Sequence, residues 1–259
     1  MSSGSSASLS DQIQHHLSNW DTHVSLFGIR TTLHLDTICM SVFLLTILAL
    51  VFYCFSQNLK LSPSKSQNFF ESIVDAVYKE VATSSPQYVH IIGPLGLTVF
   101  IAILFMNMMD FLPTSIGGEI MLALGLADNF KIVPTADLNT TLAFSTLCLL
   151  VIQTSVVKKH GLGHYIMGWL SQPLGLAAFP LNILLRIIEE FSRVLSLAMR
   201  LYGNMFAGEI IFALLALSPA YIHGPGVIGW CFFHILIVYL QAFIFMMLTV
   251  IGFGLALDH

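Results

Sequence analysis

The stretch 193–210, RVLSLAMRLYGNMFAGEI, sets two arginines and a glutamate inside the longest apolar region of the chain. An ionisable side chain at the centre of a bilayer costs roughly 2.5–3.5 kcal/mol on insertion scales. A guanidinium does not deprotonate in proteins, so an arginine cannot escape that cost by becoming neutral. Arg200 has no acid three or four positions away on either side, the nearest in sequence being Glu190 and Glu209. Its carboxylate partner must come from farther off: an acid elsewhere in the chain, such as Asp110, or an acid on another protein. Glu209 stands nine positions on, which at 100° per residue is about 180° around a helix and about 13 Å along it. The two charges therefore face different surroundings. Glu209 can titrate where Arg200 cannot, which suits Glu209 to a proton path and Arg200 to a partner.

Other polar residues interrupt the same apolar regions. Arg186, Glu189, Glu190 and Arg193 are spaced i, i+3, i+4 and i+7, so they can neutralise one another on one helical face. His234 and Gln241 lie seven apart in FHILIVYLQAFIFMMLT and share a face. If the last two apolar regions form a hairpin turning near Ile222, Glu209 comes level with Ile235, beside His234. Arg200 then comes level with Ile244, within a helical turn of Gln241. A carboxylate and an imidazole at one depth can pass protons, because imidazole titrates near neutrality. Asn107 and Asp110 in FMNMMDFLP close another apolar run, and Asp137 in IVPTADLN reads as a helix-start residue.

These side chains need elements to hold them, and the composition says which. The 259 residues are 56% hydrophobic and only 9% charged, with mean hydropathy +0.83. A soluble domain carries roughly 25% charged residues, so this is an all-α membrane protein crossing the bilayer several times. The net charge of −4 rests on few charges and implies no nucleic-acid partner. Five regions approach or exceed the ~20 apolar residues a span requires: about 37–56, 91–112, 138–157, 181–217 and 227–257. Residues 37–259 form a single helical membrane domain, and 1–36 an N-terminal tail on the outer side.

A segment at about 67–82 differs, with Phe70, Ile73, Val74, Val77 and Val81 on one helical face and Glu71, Asp75 and Lys79 on the other. That is an amphipathic helix lying on the membrane surface. Ile13, Leu17 and Trp20 make a smaller stripe of the same kind. Cys39, Cys54, Cys148 and Cys231 fall in apolar stretches without metal-ligand spacing and read as packing residues. Lys60, Lys65, Lys79, Lys158 and Lys159 fall on one side of the membrane, against Arg30 and Lys131 on the other. The positive-inside rule then places the N-terminus outside and the C-terminus in the cytoplasm. The fourth region, 37 residues long, would make a helix of about 55 Å against a hydrocarbon core of about 30 Å. It either breaks near Gly203 or lies oblique, making an oblique hairpin with the fifth.

SRVLSLAMRLYGNMFAGEI, followed by FHILIVYLQAFIFMMLT, resembles subunit a of the bacterial F-type ATP synthase membrane sector. FMNMMDFLP, VPTADLNTTL and DQIQHHLSNW resemble it in order and spacing, so the similarity runs over nearly the whole chain. The resemblance implies the non-catalytic stator half of a proton path, set against a rotating ring of c subunits and coupling proton flow to rotation and ATP synthesis. It makes Arg200 the essential arginine facing the ring's carboxylate. It puts Asn204, Glu209, His234, Gln241 and Asp110 in the half-channel open to the outside, with Gln241 helping to hold the guanidinium. Ser192 and Ser196, with Glu189 or Glu190, would line the cytoplasmic half-channel. Arg186 departs from those relatives that carry Glu there. The implied partners are the c-ring, the b subunits of the peripheral stalk, the rest of the synthase and the bilayer of a bacterial inner membrane. No cofactor and no metal are implied. An ion-coupled secondary transporter is the alternative, but it predicts internal repeats, and the two long final helices have no counterpart in the first half.

Overall fold

The computed structural model describes residues 21–26, 29–57, 59–60, 62–111, 133–171 and 174–258. The stripe Ile13, Leu17 and Trp20 and the loop residue Lys131 lie outside them. The described chain opens on an antiparallel pair, β1 (Asp21–Leu26) and β2 (Ile29–His34), with Asp21 opposite His34. Within the expected N-terminal tail, the β-branched Thr22, Val24, Ile29, Thr31 and Thr32 are the local signal for extended backbone.

Helices follow: α1 (Leu35–Gln57), α2 (Lys65–Ser84), α3 (Val89–Met108), α4 (Leu138–His160), α5 (Leu162–Ser171), α6 (Phe179–Ala216) and α7 (Ala220–Asp258). Five are long and apolar enough to cross a membrane: α1, α3, α4, α6 and α7. Among helical elements, α3 and α7 share the most extensive contact, and α4 packs along α6. The main core sits between α3 and α7, where Ile92, Phe100, Ile103, Phe245, Met246 and Val250 are buried. α1 stays peripheral, leaving Val42, Phe43, Leu50 and Tyr53 exposed for lipid.

Two glycines allow this packing. A Cβ at Gly96 would come 3.1 Å from Val250 Cγ2 and 3.3 Å from Val81 Cγ2, so α2, α3 and α7 converge there. In lipid, helices associate through such close backbone approach, since apolar side chains gain little by leaving one apolar medium for another. At Gly93 a Cβ would meet the Tyr78 ring at 2.7 Å. These contacts show what the apolar face of the amphipathic α2 packs on. Its apolar face is spent on protein, with Val77 and Val81 buried, and Phe70 stacks on Phe55 of α1 at 3.9 Å between ring centroids. Its outer face keeps the Lys79–Asp75 pair at 2.7 Å; Asp75, as hydrogen-bond acceptor and then as a charge, raises the Lys79 pKa above its ordinary value.

α6 is one unbroken helix of 38 residues, about 57 Å long. No break occurs at Gly203. The turn to α7 is tighter than expected: α6 ends at Ala216 and α7 starts at Ala220, so HGPG lies inside α7 with Pro225 in its first turns. The facing register nevertheless keeps close to that of a turn centred near Ile222, because the opening turn of α7 precedes its alignment with α6. His223 Nδ1 lies 2.8 Å from the Leu215 carbonyl oxygen and closes this end.

Candidate functional site in the helical hairpin

Ser192, Ser196, Arg200, Asn204 and Gly208 follow one another at four-residue steps along α6. Each step turns about 400°, so the row drifts about 40° per step around the helix. That drift decides the environment of each residue. Ser192, Ser196 and Arg200 lie on the exposed face, Asn204 is half-buried and Gly208 is buried against α7. Among the described residues Arg200 makes no hydrogen bond or ion pair. Asp110, its candidate partner within the chain, is committed elsewhere.

Gln241 does not reach Arg200. Its Oε1 accepts a hydrogen bond of 2.8 Å from Asn204 Nδ2, one helical turn beyond the arginine. Gln241 is buried, so this amide pair fixes α6 against α7 immediately beside the exposed guanidinium. The four-residue drift accounts for the difference, since Asn204 has already rotated toward α7 where Arg200 has not.

One step further, His234 Nε2 lies 2.7 Å from Asp110 Oδ2, with side-chain exposures of 0% and 3%. Asp110 reaches this point from the short 3-10 turn Met109–Phe111 that ends α3. A carboxylate paired with His234 is thus Asp110, and Glu209, next to Gly208 on α6, is half-buried. Phe111, Phe212 and Trp230 surround the imidazole, with ring centroids 5.2, 5.8 and 5.8 Å away. Gly208 closes the box: a Cβ there would stand 2.6 Å from His234 Cε1 and 3.1 Å from Asp110 Oδ2. The sequence signal for Gly208 was present, a glycine in step with Arg200 and Asn204, but only the Asp110 contact gives it meaning.

Polar groups without partners collect near this pair. His234 Nδ1, Asn107 Oδ1 and Nδ2, and Thr135 Oγ1 are buried with no hydrogen bond among the described residues. Asn107 sits one turn before Asp110 on α3. Thr135 lies between Val133 and Ala136, which pack against Met205 and Val238 of the hairpin. Buried polar atoms are ordinarily satisfied by protein or by water, so these are the atoms at which water would bind. Asp137, expected to start a helix, caps α4 by accepting the Asn139 amide at 3.2 Å. Its Oδ2 also meets His34 Nδ1 at 3.1 Å and tethers α4 to the entry of α1.

Toward the other end of α6, the four-charge cluster closes on itself. Arg186 lies 3.0 Å from Glu190 and 3.5 Å from Glu189, and Arg193 lies 3.0 Å from Glu189 and 3.4 Å from Glu190. Glu190 is the buried member, and Gln153 Nε2 on α4 donates to it at 3.0 Å. Neither Gln153 nor Trp169, over which Arg186 lies at 5.9 Å, was foreseen: each is an isolated residue whose role depends on helix pairing. Asn182 is another such residue. It fastens the α5–α6 connection by donating to the Leu170 and Gly175 carbonyls at 2.8 Å and accepting from Leu174 N–H at 3.1 Å.

A family model described as ATP synthase A chain matches residues 37–252. The ATP synthase subunit a of Halorhodospira halophila is 36% identical over 266 residues, covering 100% of both chains. That of Coxiella burnetii (strain RSA 493 / Nine Mile phase I) is 40% identical over 256 residues, 96% of each chain. That of Alkalilimnicola ehrlichii is 38% identical over 250 residues, again 96% of each.

Proposed function

Since the chain belongs to the ATP synthase A chain family, we propose that it is the proton-translocating stator subunit of a rotary F-type synthase, with Arg200 facing the carboxylates of a c-subunit ring. The observation that carries this reading is a contrast on one helix. Arg186 and Arg193 are each held by two carboxylates, whereas Arg200 lies on the exposed face with no anion bonded to it among the described residues. A permanent cation on a lipid-level surface calls for an anion from outside.

The chemistry follows from fixed and titrating charges. A proton entering from the outer side passes along the group Asp110, His234, Glu209 and Asn204 and neutralises a ring carboxylate, which can then enter lipid. When that carboxylate returns to Arg200, the fixed positive charge favours its ionised form, and the proton leaves along the Ser192–Ser196 side near Glu189 and Glu190. Arg200 cannot relay a proton itself and repels one, which separates the two paths. Gln241, by holding Asn204, keeps α6 and α7 in register at the crossing. The chain is a membrane-sector subunit with no catalytic centre of its own, multi-pass in the bacterial inner membrane. The basic-residue bias supports an outer N-terminus and a cytoplasmic C-terminus. The peripheral-stalk b subunits are the stator partners this reading requires. A secondary transporter is not favoured by any feature of the hairpin.

Crosslinking tests the facing surface. Met199 is exposed beside Arg200, so Met199→Cys, with the four native cysteines replaced, should crosslink to a cysteine near the ring carboxylate of the small c subunit. Absence of that product, with crosslinks to lipid-facing controls intact, would remove the assignment. Glu209→Gln should slow ATP-driven proton pumping several-fold and leave part of it, because general acid–base groups in a hydrated path are partly replaceable while a fixed charge is not. A loss equal to that of an Arg200 variant would reverse this hierarchy.

A further inference from the structure

The connection between α1 and α2 holds a cavity that the proton path does not use. It measures about 340 Å³ and is lined by Cys54, Phe55, Lys60, Ser64 and Gln67, within the range of roughly 300–1,000 Å³ typical of small-molecule sites. Gln67 builds it. That side chain is buried, 8% exposed, and its amide grips the connection from inside. Nε2 donates to the Lys60 carbonyl at 3.1 Å, and Oε1 accepts the Lys60 N–H at 3.3 Å. A loop residue is thereby held by both its backbone groups, with its ammonium side chain exposed at the rim. Ser64 Oγ accepts the Gln67 N–H at 3.3 Å and keeps its own proton to donate. Phe55, stacked on Phe70, makes the apolar wall.

Charge and depth point to one kind of occupant. Between Asp36 and Glu71 the sequence contains no acid, and Lys60 and Lys65 are its only charged residues. Both are exposed, and neither enters an ion pair among the described residues. Glu71 has its Oε1 engaged by Gln67 Nε2 at 2.7 Å. α1 is a membrane span that ends at Gln57, so the cavity opens where the hydrocarbon stops. Leu50, Tyr53 and Cys54 are exposed at i, i+3 and i+4 on α1, on one side of the helix. They continue the apolar wall from the cavity into the bilayer. Basic pockets beside membrane helices bind anionic headgroups, and the apolar track below this one suits the chain of an amphiphile.

We propose that this cavity binds an anionic phospholipid. Its phosphodiester accepts from Lys60, Lys65 and the Ser64 hydroxyl, and an acyl chain runs down α1 over Cys54 and Leu50. Bound there, the lipid ties the α1–α2 connection to the bilayer surface and fixes the entry of α2, which carries Val77 and Val81 into the core.

Cys54 lines the cavity, so its rate of alkylation by N-ethylmaleimide reports occupancy. The test uses the intact synthase in nanodiscs of phosphatidylcholine, with or without phosphatidylglycerol, and the other three cysteines of this chain replaced by Ser. Mass spectrometry of the Cys54 peptide gives the rate. Phosphatidylglycerol should slow it several-fold. A companion protein that keeps only Cys39, exposed near the other end of α1, should be unaffected. Each lysine near an anionic surface contributes about fivefold in affinity. Lys60→Gln with Lys65→Gln should therefore weaken binding roughly thirtyfold and remove most of the protection, and Lys60→Arg with Lys65→Arg should restore it. Equal Cys54 rates in the two kinds of disc overturn the site, as does unchanged protection in the double Gln variant. An equal slowing at Cys39 overturns it in favour of a general effect of surface charge. Equal protection by glycerol 3-phosphate added to phosphatidylcholine discs overturns the lipid as occupant in favour of a free phosphate ester. If the double Gln variant fails to assemble, the comparison of discs on the unsubstituted lysines decides alone.

Discussion

Arg200→Ala is expected to reduce ATP-driven proton pumping in inverted membrane vesicles to background while leaving the amount of assembled subunit near normal. The two halves of this expectation have separate causes. Assembly survives because the guanidinium lies on the exposed face and makes no hydrogen bond or ion pair with the described residues, so its removal breaks no polar contact among them. Pumping fails because the ring carboxylate loses the charge that favours its ionised form at the crossing. At an effective dielectric of about 20, a unit charge about 4 Å away contributes about 4 kcal/mol to that preference, and each 1.4 kcal/mol is about tenfold in an equilibrium.

The replacement Arg200→Lys sharpens the expectation. Lysine keeps a charge but loses the planar donor fork, and it shifts its own pKa readily when taken from water. A lysine facing lipid can become neutral just when its charge is needed, so it should restore little pumping. Near-normal pumping in Arg200→Ala would sink the assignment of this residue; full recovery with lysine would mean that charge alone, without the guanidinium's permanence, is enough. Immunodetection of the subunit in the same vesicles separates either result from a loss of assembly.

How much of this could be read beforehand depends on the range of each interaction. Helix existence and the self-neutralising cluster of Arg186, Glu189, Glu190 and Arg193 are set within one helical turn or one apolar run, and spacing exposes them directly. The isolation of Arg200 was legible for the same reason, since no acid stands at i±3 or i±4. The pairings that cross helices were less accessible. Glu209 and His234 share a depth, but depth does not fix azimuth. Asp110, arriving from the end of α3, takes the imidazole, and Asn204, one turn beyond Arg200, takes the amide of Gln241. Of the two alternatives for the long fourth region, the break near Gly203 did not form, because one glycine costs only about 1 kcal/mol in a helix, less than the backbone hydrogen bonds a break in lipid would expose.

Gly208→Ala is the second substitution expected to have a large effect, and the reason is steric. The added Cβ would stand 2.6 Å from His234 Cε1 and 3.1 Å from Asp110 Oδ2, so it wedges between the two members of the buried pair and α6. His234 cannot swing aside freely, since Phe111, Phe212 and Trp230 surround it. Either the imidazole moves by about 1 Å, a displacement that can cost about 100-fold in a positioned reaction, or α6 is pushed away from α7 and strains the Asn204–Gln241 bond. Overpacking of this kind costs about 1–3 kcal/mol, too little to unfold a subunit held by the α3–α7 core. Pumping should therefore fall by about 100-fold with the subunit still present in the membrane. Gly229→Ala on α7 is the matched comparison, because a Cβ there meets nothing within 4 Å and alanine favours the helix; it should pump normally. If Gly208→Ala also pumps within about twofold of the unmodified protein, the His234–Asp110 geometry is not what limits proton entry, and the weight of the outer path would shift to Glu209 and Asn204.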